Sequence, residues 1–397
     1  AALAEGEEGT TYFNALSWPR RALVKQNGEY GYAVLPPCGW SSEIDRTLPK
    51  YPVLVCPTWD GAILGNGLLT VELNRLGEIV GCELNGRRCL GVKGNEMRLY
   101  KDVPRKFDAW DIDSMYSLQR VDMGQNATME VIEETPHRCA LKVTRRFGKS
   151  VIEQEIALEA GASRIDFVTH VNWQETHRLL KAAFATGIHT DEAINEMQFG
   201  YVKRPTHRSR PYDADRFEVC NHRYTALCDG NSGAAVLNES KYGVSAEGDE
   251  IALTLLRAAT CPDLNADKGE HDFAYSYYVW DGPFMESGVV REGYELNVPV
   301  TCAAGVAEAK SLLSVEAPNV IIDTVKLCED GSGDMIIRLY ESKHAATKTR
   351  LTFGFGAAQA WICDMLENPQ QKLVVSGSGV DLELRAFEVK TIRVTRK

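Results

Sequence analysis

Hydrophobic and polar residues alternate with a period of two along many short segments of this chain. In the segment 164–173, for example, Ile165 and Phe167 alternate with Asp166. Such alternation is typical of strands with one buried and one wet face. Similar segments recur along the whole length, separated by Gly, Asn, Asp and Pro turns, whereas helix signals are almost absent. The pattern predicts an all-β protein built from sandwiches.

The spacing of the predicted strands divides the 397 residues into three parts. Residues 1–57 are predicted to form a small N-terminal β-rich piece. The next part, 58–307, contains so many long strands that we predict one large two-sheet sandwich, with a two-residue hairpin at Asn85-Gly86 because both positions accept positive φ. Residues 308–397 match a small immunoglobulin-like sandwich in size and pattern.

Composition narrows the classes of partner. The formal net charge is −11, which argues against nucleic acid, and no apolar run approaches the length of a membrane span. The 11 cysteines include no Cys-x-x-Cys pair, which indicates reduced thiols and a cytoplasmic location. The first ten residues, AALAEGEEGT, lack an initiator Met and the features of a signal peptide. They predict a polar linker, so we expect the chain to be a fragment that starts between domains.

A cationic segment at 197–223 stands out in this acidic chain. It contains six basic side chains and two imidazoles, namely Lys203, Arg204, Arg208, Arg210, Arg216, Arg223, His207 and His222. Pro205 and Pro211 break any helical pattern and predict a long shaped loop. Guanidinium and imidazole groups suit a polyhydroxylated or anionic ligand. The alternative is a basic loop that neutralises acidic neighbours in another domain.

An acidic loop at 101–113, KDVPRKFDAWDID, is the second candidate site. It combines four carboxylates with two aromatic rings, namely Asp102, Asp108, Asp111, Asp113, Phe107 and Trp110. Aromatic faces stack on sugar rings and carboxylates accept hydrogen bonds from hydroxyls. Paired carboxylates could also serve as the acid and nucleophile of a glycosidase. The structural alternative is that these acids bridge to the cationic segment.

Metal-binding patterns are weak. Cys220, His222 and Cys228 match no standard zinc spacing, and the pair His189 and Asp191 is a weak signal by itself. No phosphate loop, dinucleotide fingerprint or Gly-x-Ser-x-Gly motif is present. We therefore expect no metal or other cofactor in this chain.

Several loop segments, taken in order, resemble the C-terminal region of glycoside hydrolase family 38, the retaining α-mannosidases. Examples are NALSWPR at 14–20, YKDVPRKFDAWDID at 100–113 and QFGYVKRPTHR at 198–208. Further matching segments are 66–77, 151–166, 218–222, 255–257, 288–292, 314–320 and 382–390. The pattern is more similar to the cytosolic and bacterial branch than to the secretory branch.

The resemblance implies a large galactose-mutarotase-like sandwich beside an N-terminal catalytic domain. The nucleophilic Asp and the zinc ligands of the family precede the β-domains, so this chain is expected to lack both. Zinc is then expected in the missing domain, and the intact enzyme is expected to be a homo-oligomer that acts on terminal α-mannosides. We expect the fragment to be a scaffold with no activity alone.

The resemblance also implies which residues face the substrate. A Tyr from a sandwich hairpin and an Arg from a later strand reach the cleft in relatives, and Tyr201 and Arg257 match them. Further candidates on loops that could line the cleft are Arg204, His207, Asp108 and Trp110. A cationic hairpin facing a carboxylate-rich cleft would be favourable electrostatically.

Two alternatives stay open at this point. The first is a stand-alone carbohydrate-binding or interaction module, which would bind mannosides without another domain. The second is an epimerase of the mutarotase type, which needs a His and Glu pair across a cleft. His170 or His222 with Glu155 or Glu218 could supply that pair.

Overall fold

The computed structural model describes residues 9–397, and they group into two compact units. The larger unit holds Leu48–Met197 and Val202–Asn297. The smaller unit holds 9–47, Gln198–Tyr201 and Val298–Lys397. The N-terminal and C-terminal parts of the chain thus belong to one unit, while the three-part division from the sequence stays a prediction.

A nine-stranded antiparallel sheet forms one layer of the larger unit. Its longest strands are predicted in place by alternation, and Arg164–Trp173 has the predicted bounds. In order across the sheet, the strands are Ala127–Glu134, Arg138–Phe147, Ser150–Glu159, Arg164–Trp173, Gly269–Asp281, Ser232–Asn238, Tyr224–Cys228, Glu192–Met197 and Gly200–Pro205.

Two smaller sheets supply the remaining strands of this unit. The five-stranded sheet runs Arg87–Arg88, Ile79–Leu84, Leu69–Asn74, Gly61–Gly65 and Leu54–Thr58. The six-stranded sheet runs Arg120–Val121, Glu96–Lys101, Arg178–Ala185, Glu250–Leu256, Gly243–Glu247 and Val219–Cys220. The hairpin at Asn85-Gly86 is confirmed, because both residues have positive φ and join two paired strands.

One hydrophobic core lies between these sheets. Phe184 of the six-stranded sheet stacks on Tyr277 of the nine-stranded sheet with ring centroids 5.2 Å apart, and it lies 6.0 Å from Phe167. From the five-stranded sheet, Leu64 and Val71 join the same core. Aromatic pairs of this kind add stabilisation beyond the apolar area that they bury. The predicted large sandwich is confirmed.

The smaller unit is also built from strands. Residues 313–396 form a small sandwich with its own core, in which Ile337, Leu351 and Ile392 are buried. Its three-stranded sheet runs Leu313–Val315, Thr347–Phe353 and Gly379–Leu384, and its five-stranded sheet runs Val320–Leu327, Met335–Glu341, Val389–Arg396, Ala357–Cys363 and Pro369–Leu373. Two further sheets run Thr301–Ala304, Thr10–Asn14, Gly39–Ser41 and Lys310–Ser311, and Arg20–Gln26, Glu29–Leu35 and Ile44–Asp45.

Helices are short within residues 9–397. The α-helix Val289–Asn297, which was not predicted, buries Val289, Val290, Gly293 and Tyr294 on one face. Single 3₁₀ turns cover Ser114–Leu118, Pro211–Arg216 and Phe284–Glu286. None of the helices in the described residues has the length and apolar character that a membrane crossing requires.

Candidate functional site

Arg257 fastens the acidic loop to the large sandwich. It directly follows the strand Glu250–Leu256, and its Nε donates to Asp102 Oδ2 at 2.6 Å. Its Nη2 donates to the backbone carbonyls of Asp108 and Asp111, at 3.3 and 2.6 Å. A planar guanidinium can serve several acceptors in fixed directions. One arginine therefore fixes the loop at three points.

Asp108 closes the loop on its other side. Its Oδ2 accepts hydrogen bonds from the backbone N–H groups of Thr260 and Cys261, at 2.7 and 3.1 Å, and lies 3.1 Å from His177 Nε2. Burial raises the pKa of Asp108, but the Thr260 and His177 hydrogen bonds outweigh it and lower the pKa to about 2. Asp108 is therefore ionised at neutral pH and acts as an acceptor that holds the loop.

The aromatic residues of the acidic loop point outward. Phe107 is 68% exposed and has a positive φ, and Trp110 is 74% exposed. By contrast, Asp102 is buried, and its Oδ1 has no hydrogen-bond partner among the described residues. Asp102 and Asp108 thus anchor the loop, and its two aromatic rings face solvent. Rings presented in this way suit stacking on a sugar.

The cationic segment pairs mostly with acids close to it. Salt bridges join Lys203 to Glu192, Arg208 to Glu247, Arg210 to Asp213 and Arg223 to Glu196. These four acids all lie in the larger unit, so most of the segment's ion pairs are made within that unit. The ion-pair partners of Asp102 and Asp108 are Arg257 and His177. Within residues 9–397, the predicted bridge from these acids to the cationic segment is therefore wrong.

The remaining predicted residues are distributed over both units. Arg204 Nη1 donates to Asn195 Oδ1 at 2.6 Å and to the Cys220 carbonyl at 3.0 Å. His207 is partly exposed, and its Nδ1 accepts from the Ser209 N–H at 3.3 Å. Tyr201 is grouped with the smaller unit. The structure thus places Asp108 and Trp110 in one loop and Arg257 beside it, where Arg257 donates to the loop backbone.

Tyr201 makes an aromatic contact inside the smaller unit. Its ring meets Phe387 edge to face, with centroids 4.9 Å apart. The preceding Phe199 meets Tyr340 at 5.5 Å in a similar geometry. Gly200 between them leaves no room for a Cβ, which would fall 2.6 Å from the Phe387 ring. This packing gives Tyr201 a fixed orientation.

A polar pocket of about 230 Å³, the Lys181 pocket, was not predicted from the sequence. Lys181 is 1% exposed and contacts Glu218. It also donates to Ser245 Oγ at 2.8 Å, and Tyr116 donates to Glu218 Oε1 at 2.7 Å. Lys181 interrupts the apolar run LLKAAFA, and this charged residue at a strand position was the available signal.

The acidic loop and the cationic segment approach each other at the Lys181 pocket. Ser114 and Tyr116, which follow the acidic loop, line it together with Arg208 and Phe217 of the cationic segment. The Tyr116 and Phe217 rings are 6.3 Å apart. The contact therefore consists of the Tyr116 and Phe217 rings and of the Tyr116–Glu218 hydrogen bond at 2.7 Å, and neither Tyr116 nor Phe217 was a candidate site residue.

His170, one histidine of the epimerase alternative, has other partners. His170 Nδ1 lies 2.8 Å from Asp272 and its Nε2 lies 2.9 Å from Glu270. Glu218 is occupied by Lys181. The described residues contain no group of three or more His, Cys, Asp or Glu that could hold a metal ion.

Comparison with known proteins identifies the family. The model for the glycosyl hydrolases family 38 C-terminal domain matches residues 64–265. The model for the family 38 C-terminal beta sandwich domain matches 319–392. Alpha-mannosidase 2C1 of Homo sapiens is 33% identical over 99% of this chain and 40% of its own length. Alpha-mannosidase G of Dictyostelium discoideum is 32% identical over 96% of this chain and 37% of its own length.

A solved structure has the same fold. An alpha-mannosidase from Enterococcus faecalis V583 superposes with a TM-score of 0.72 at 15% identity, covering 98% of this chain and 51% of that chain. The chain spans about two fifths of the length of the curated relatives that it matches. Because the first family model alone covers more than half of the chain, the chain belongs to glycosyl hydrolase family 38 and carries the C-terminal domains of that family.

Proposed function

We propose that this chain is the C-terminal β-region of a retaining α-mannosidase that hydrolyses terminal α-mannosides. It would act as a scaffold and contribute side chains to the substrate cleft. The relatives named alpha-mannosidases support this role. A separate catalytic domain would supply the nucleophilic Asp and the zinc, as the family resemblance implies. A cytoplasmic location and a homo-oligomeric intact enzyme belong to the same proposal.

The observation that carries the proposal is the anchored acidic loop. Arg257 and Asp108 hold its backbone, while Phe107 and Trp110 face solvent with most of their surface uncovered. Large aromatic rings on a rigid loop lose little entropy when a sugar stacks on them. Trp110 is the better probe because an indole offers the larger face.

The test is Trp110→Ala in the full-length gene product, with an aryl α-mannoside as substrate. We expect KM to rise by roughly threefold to tenfold with kcat nearly unchanged, since stacking would bind ground state and transition state alike. The matched control is Trp59→Ala, because Trp59 is 97% exposed but lies in a hairpin outside the acidic loop. An unchanged KM, or an equal rise in both variants, would contradict the role of the loop.

The scaffold role predicts that the 397-residue chain has no mannosidase activity when purified alone. Turnover of the aryl α-mannoside at concentrations well below KM is the measurement, and a preparation of Trp110→Ala serves as the control for contaminating enzyme, because its higher KM slows turnover only if the chain itself is the catalyst. Turnover that copurifies with the chain and is lower in Trp110→Ala would contradict the scaffold role.

The exposed rings of the acidic loop also favour a second candidate, a stand-alone carbohydrate-binding module. In that case the chain alone should bind methyl α-mannoside, and Trp110→Ala should abolish the binding. Calorimetry on the isolated chain distinguishes the two functions. Binding without turnover favours the module, and absence of both favours a scaffold that needs its catalytic domain.

A further inference from the structure

A pocket of about 470 Å³ in the larger unit, the Arg145 pocket, has no role in the proposed function. It is lined by the turn after Leu69–Asn74, by Glu96 and Met97, by the loop at 122–125 and by Arg145. Arg145 occupies a core-facing position of the strand Arg138–Phe147 and is only 6% exposed. The next residue, Arg146, alternates to the other face and is exposed.

The guanidinium of Arg145 lacks the partners that a buried charge needs. Its Nη1 is buried without a hydrogen-bond partner in the described part of the chain. Burial lowers the pKa of Arg145, against weaker opposing effects of Glu78, Tyr275 and Glu96. A desolvated cation without a hydrogen-bonded counterion is costly, so this geometry calls for an acceptor.

Of the three carboxylates that line the Arg145 pocket, Asp122 accepts from the Gly124 N–H at 2.8 Å, and the other two have cationic partners. Glu78 Oε2 accepts from Lys93 Nζ and from Asn74 Nδ2, both at 2.9 Å. Glu96 accepts from Arg98 Nε at 2.7 Å and from Arg120 Nη2 at 2.6 Å. Their charges are therefore taken up by neighbouring side chains and not by Arg145.

The buried amides and hydroxyls of this region are satisfied by one another. Gln154 Nε2 donates to Tyr275 OH at 2.7 Å, and Asn95 Nδ2 donates to Gln154 Oε1 at 3.0 Å. Tyr275 in turn donates to Asn95 Oδ1 at 2.5 Å. Tyr275 acts on Arg145 electrostatically, but its hydroxyl is engaged in this closed network. The acceptor that Arg145 lacks is thus not supplied from the core.

We propose that the Arg145 pocket binds a small polyhydroxylated oxyanion of monosaccharide size, a sugar acid or a sugar phosphate. Arg145 would donate a charged hydrogen bond to the carboxylate or phosphate. Glu78, Glu96 and Asp122 would accept from ligand hydroxyls, whereas a bare anion without donors would meet these carboxylates unfavourably. A pocket of this volume lies within the range of small-molecule sites.

The experiment uses the full-length gene product and isothermal titration calorimetry with three probes. D-Glucuronate and D-glucose 6-phosphate carry the two forms of oxyanion, and D-glucose is the neutral control. We expect at least one oxyanion to bind and D-glucose to bind at least about tenfold more weakly, because a charged hydrogen bond is lost. The oxyanion that binds more tightly shows whether the ligand is a sugar acid or a sugar phosphate.

Two variants locate the binding. Arg145→Gln keeps most of the side-chain volume and should weaken the oxyanion by at least about tenfold. Arg146→Gln removes the same charge from the opposite face of the same strand and should leave affinity unchanged. Should Arg145→Gln fail to fold, Gln125→Trp at an exposed lining position tests the pocket by filling it, and binding should be lost.

The outcomes that overturn the proposal are specific. The proposal is wrong if neither oxyanion binds to the unaltered protein. It is also wrong if Arg145→Gln or Gln125→Trp binds as tightly as the unaltered protein, or if Arg146→Gln loses as much affinity as Arg145→Gln. Turnover of α-mannosides is not part of the readout, so a failure of the proposed function leaves this test intact.

Discussion

The Lys181 pocket and the Arg145 pocket each contain a basic side chain buried in the larger unit, but the two residues differ in their partners. Lys181 contacts Glu218 and donates to Ser245 and Tyr116. Arg145 has a buried Nη1 with no partner among the described residues. The first charge completes an internal network, whereas the second leaves an interaction for a ligand to make. The presence or absence of hydrogen-bond partners therefore distinguishes a charge with a structural role from a charge that could bind a ligand.

The largest effect that we predict is for the paired charge. Glu218→Ala should lower the free energy of unfolding by about 3–5 kcal/mol at pH 6, because the Lys181 ammonium is left buried without its counterion. The control is Glu247→Ala, which breaks an exposed pair with Arg208 and should cost about 0–1 kcal/mol. Denaturant unfolding measures both. A loss in Glu218→Ala no larger than in the control would mean that the pair is not structural.

The loss of stability in Glu218→Ala should depend on pH. Burial lowers the pKa of Lys181 to about 7, whereas an unfolded lysine titrates near 10.4. Loss of the Glu218 counterion should lower this pKa further, so that above about pH 7 the Lys181 amine is neutral in both folded proteins. The penalty of Glu218→Ala relative to the unaltered protein should therefore be present below about pH 7 and be lost as the pH rises through about 7. A penalty that stays constant through this pH would contradict the assignment of the charge to Lys181.

An intermediate effect is expected for an arginine that has partners. Arg257→Met should lower the free energy of unfolding by about 2–3 kcal/mol, because Asp102 is left buried and two loop carbonyls lose their donor. Arg105→Met serves as the control, since Arg105 lies exposed in the same loop. Hydrogen exchange should also speed up across 101–113 in Arg257→Met and not in the control.

The smallest effect is expected for the unpaired charge. Arg145→Met should leave the free energy of unfolding unchanged or raise it by about 1 kcal/mol, since a buried ion without partners is replaced by an apolar chain of similar length. Denaturant unfolding of Arg145→Met and Arg257→Met under the same conditions makes the comparison direct. A loss as large as that of Arg257→Met would show that Arg145 is internally paired and would remove the basis for a ligand.

Strand positions were largely predictable from local pattern. Arg164–Trp173 has the predicted bounds, since it keeps strict alternation. The helix Val289–Asn297 was missed because a nine-residue apolar stripe is short and the surrounding chain is all strand. Isolated helices of this length are marginal, and this one depends on burying Tyr294.

The candidate site was predictable in part. Asp108, Trp110 and Arg257 were named from the resemblance, and the structure places the first two in the loop that Arg257 anchors. Their separate tasks were not predictable, because only the contacts reveal that Asp108 serves as an acceptor for backbone N–H groups while Trp110 is exposed. The substrate-facing roles of these residues, and of Tyr201, Arg204 and His207, stay predictions.

Alternation and turn chemistry were sufficient to establish that this is an all-β chain, because both are local properties that neighbouring residues decide. Loop motifs were sufficient to point to the family. The pairing of charges was decided only by tertiary structure. Arg145 and Arg146 are adjacent and chemically identical, yet the strand turns one into a pocket and the other to solvent. Whether a charge is paired depends on residues far away in the chain, which the fold brings into contact or leaves apart.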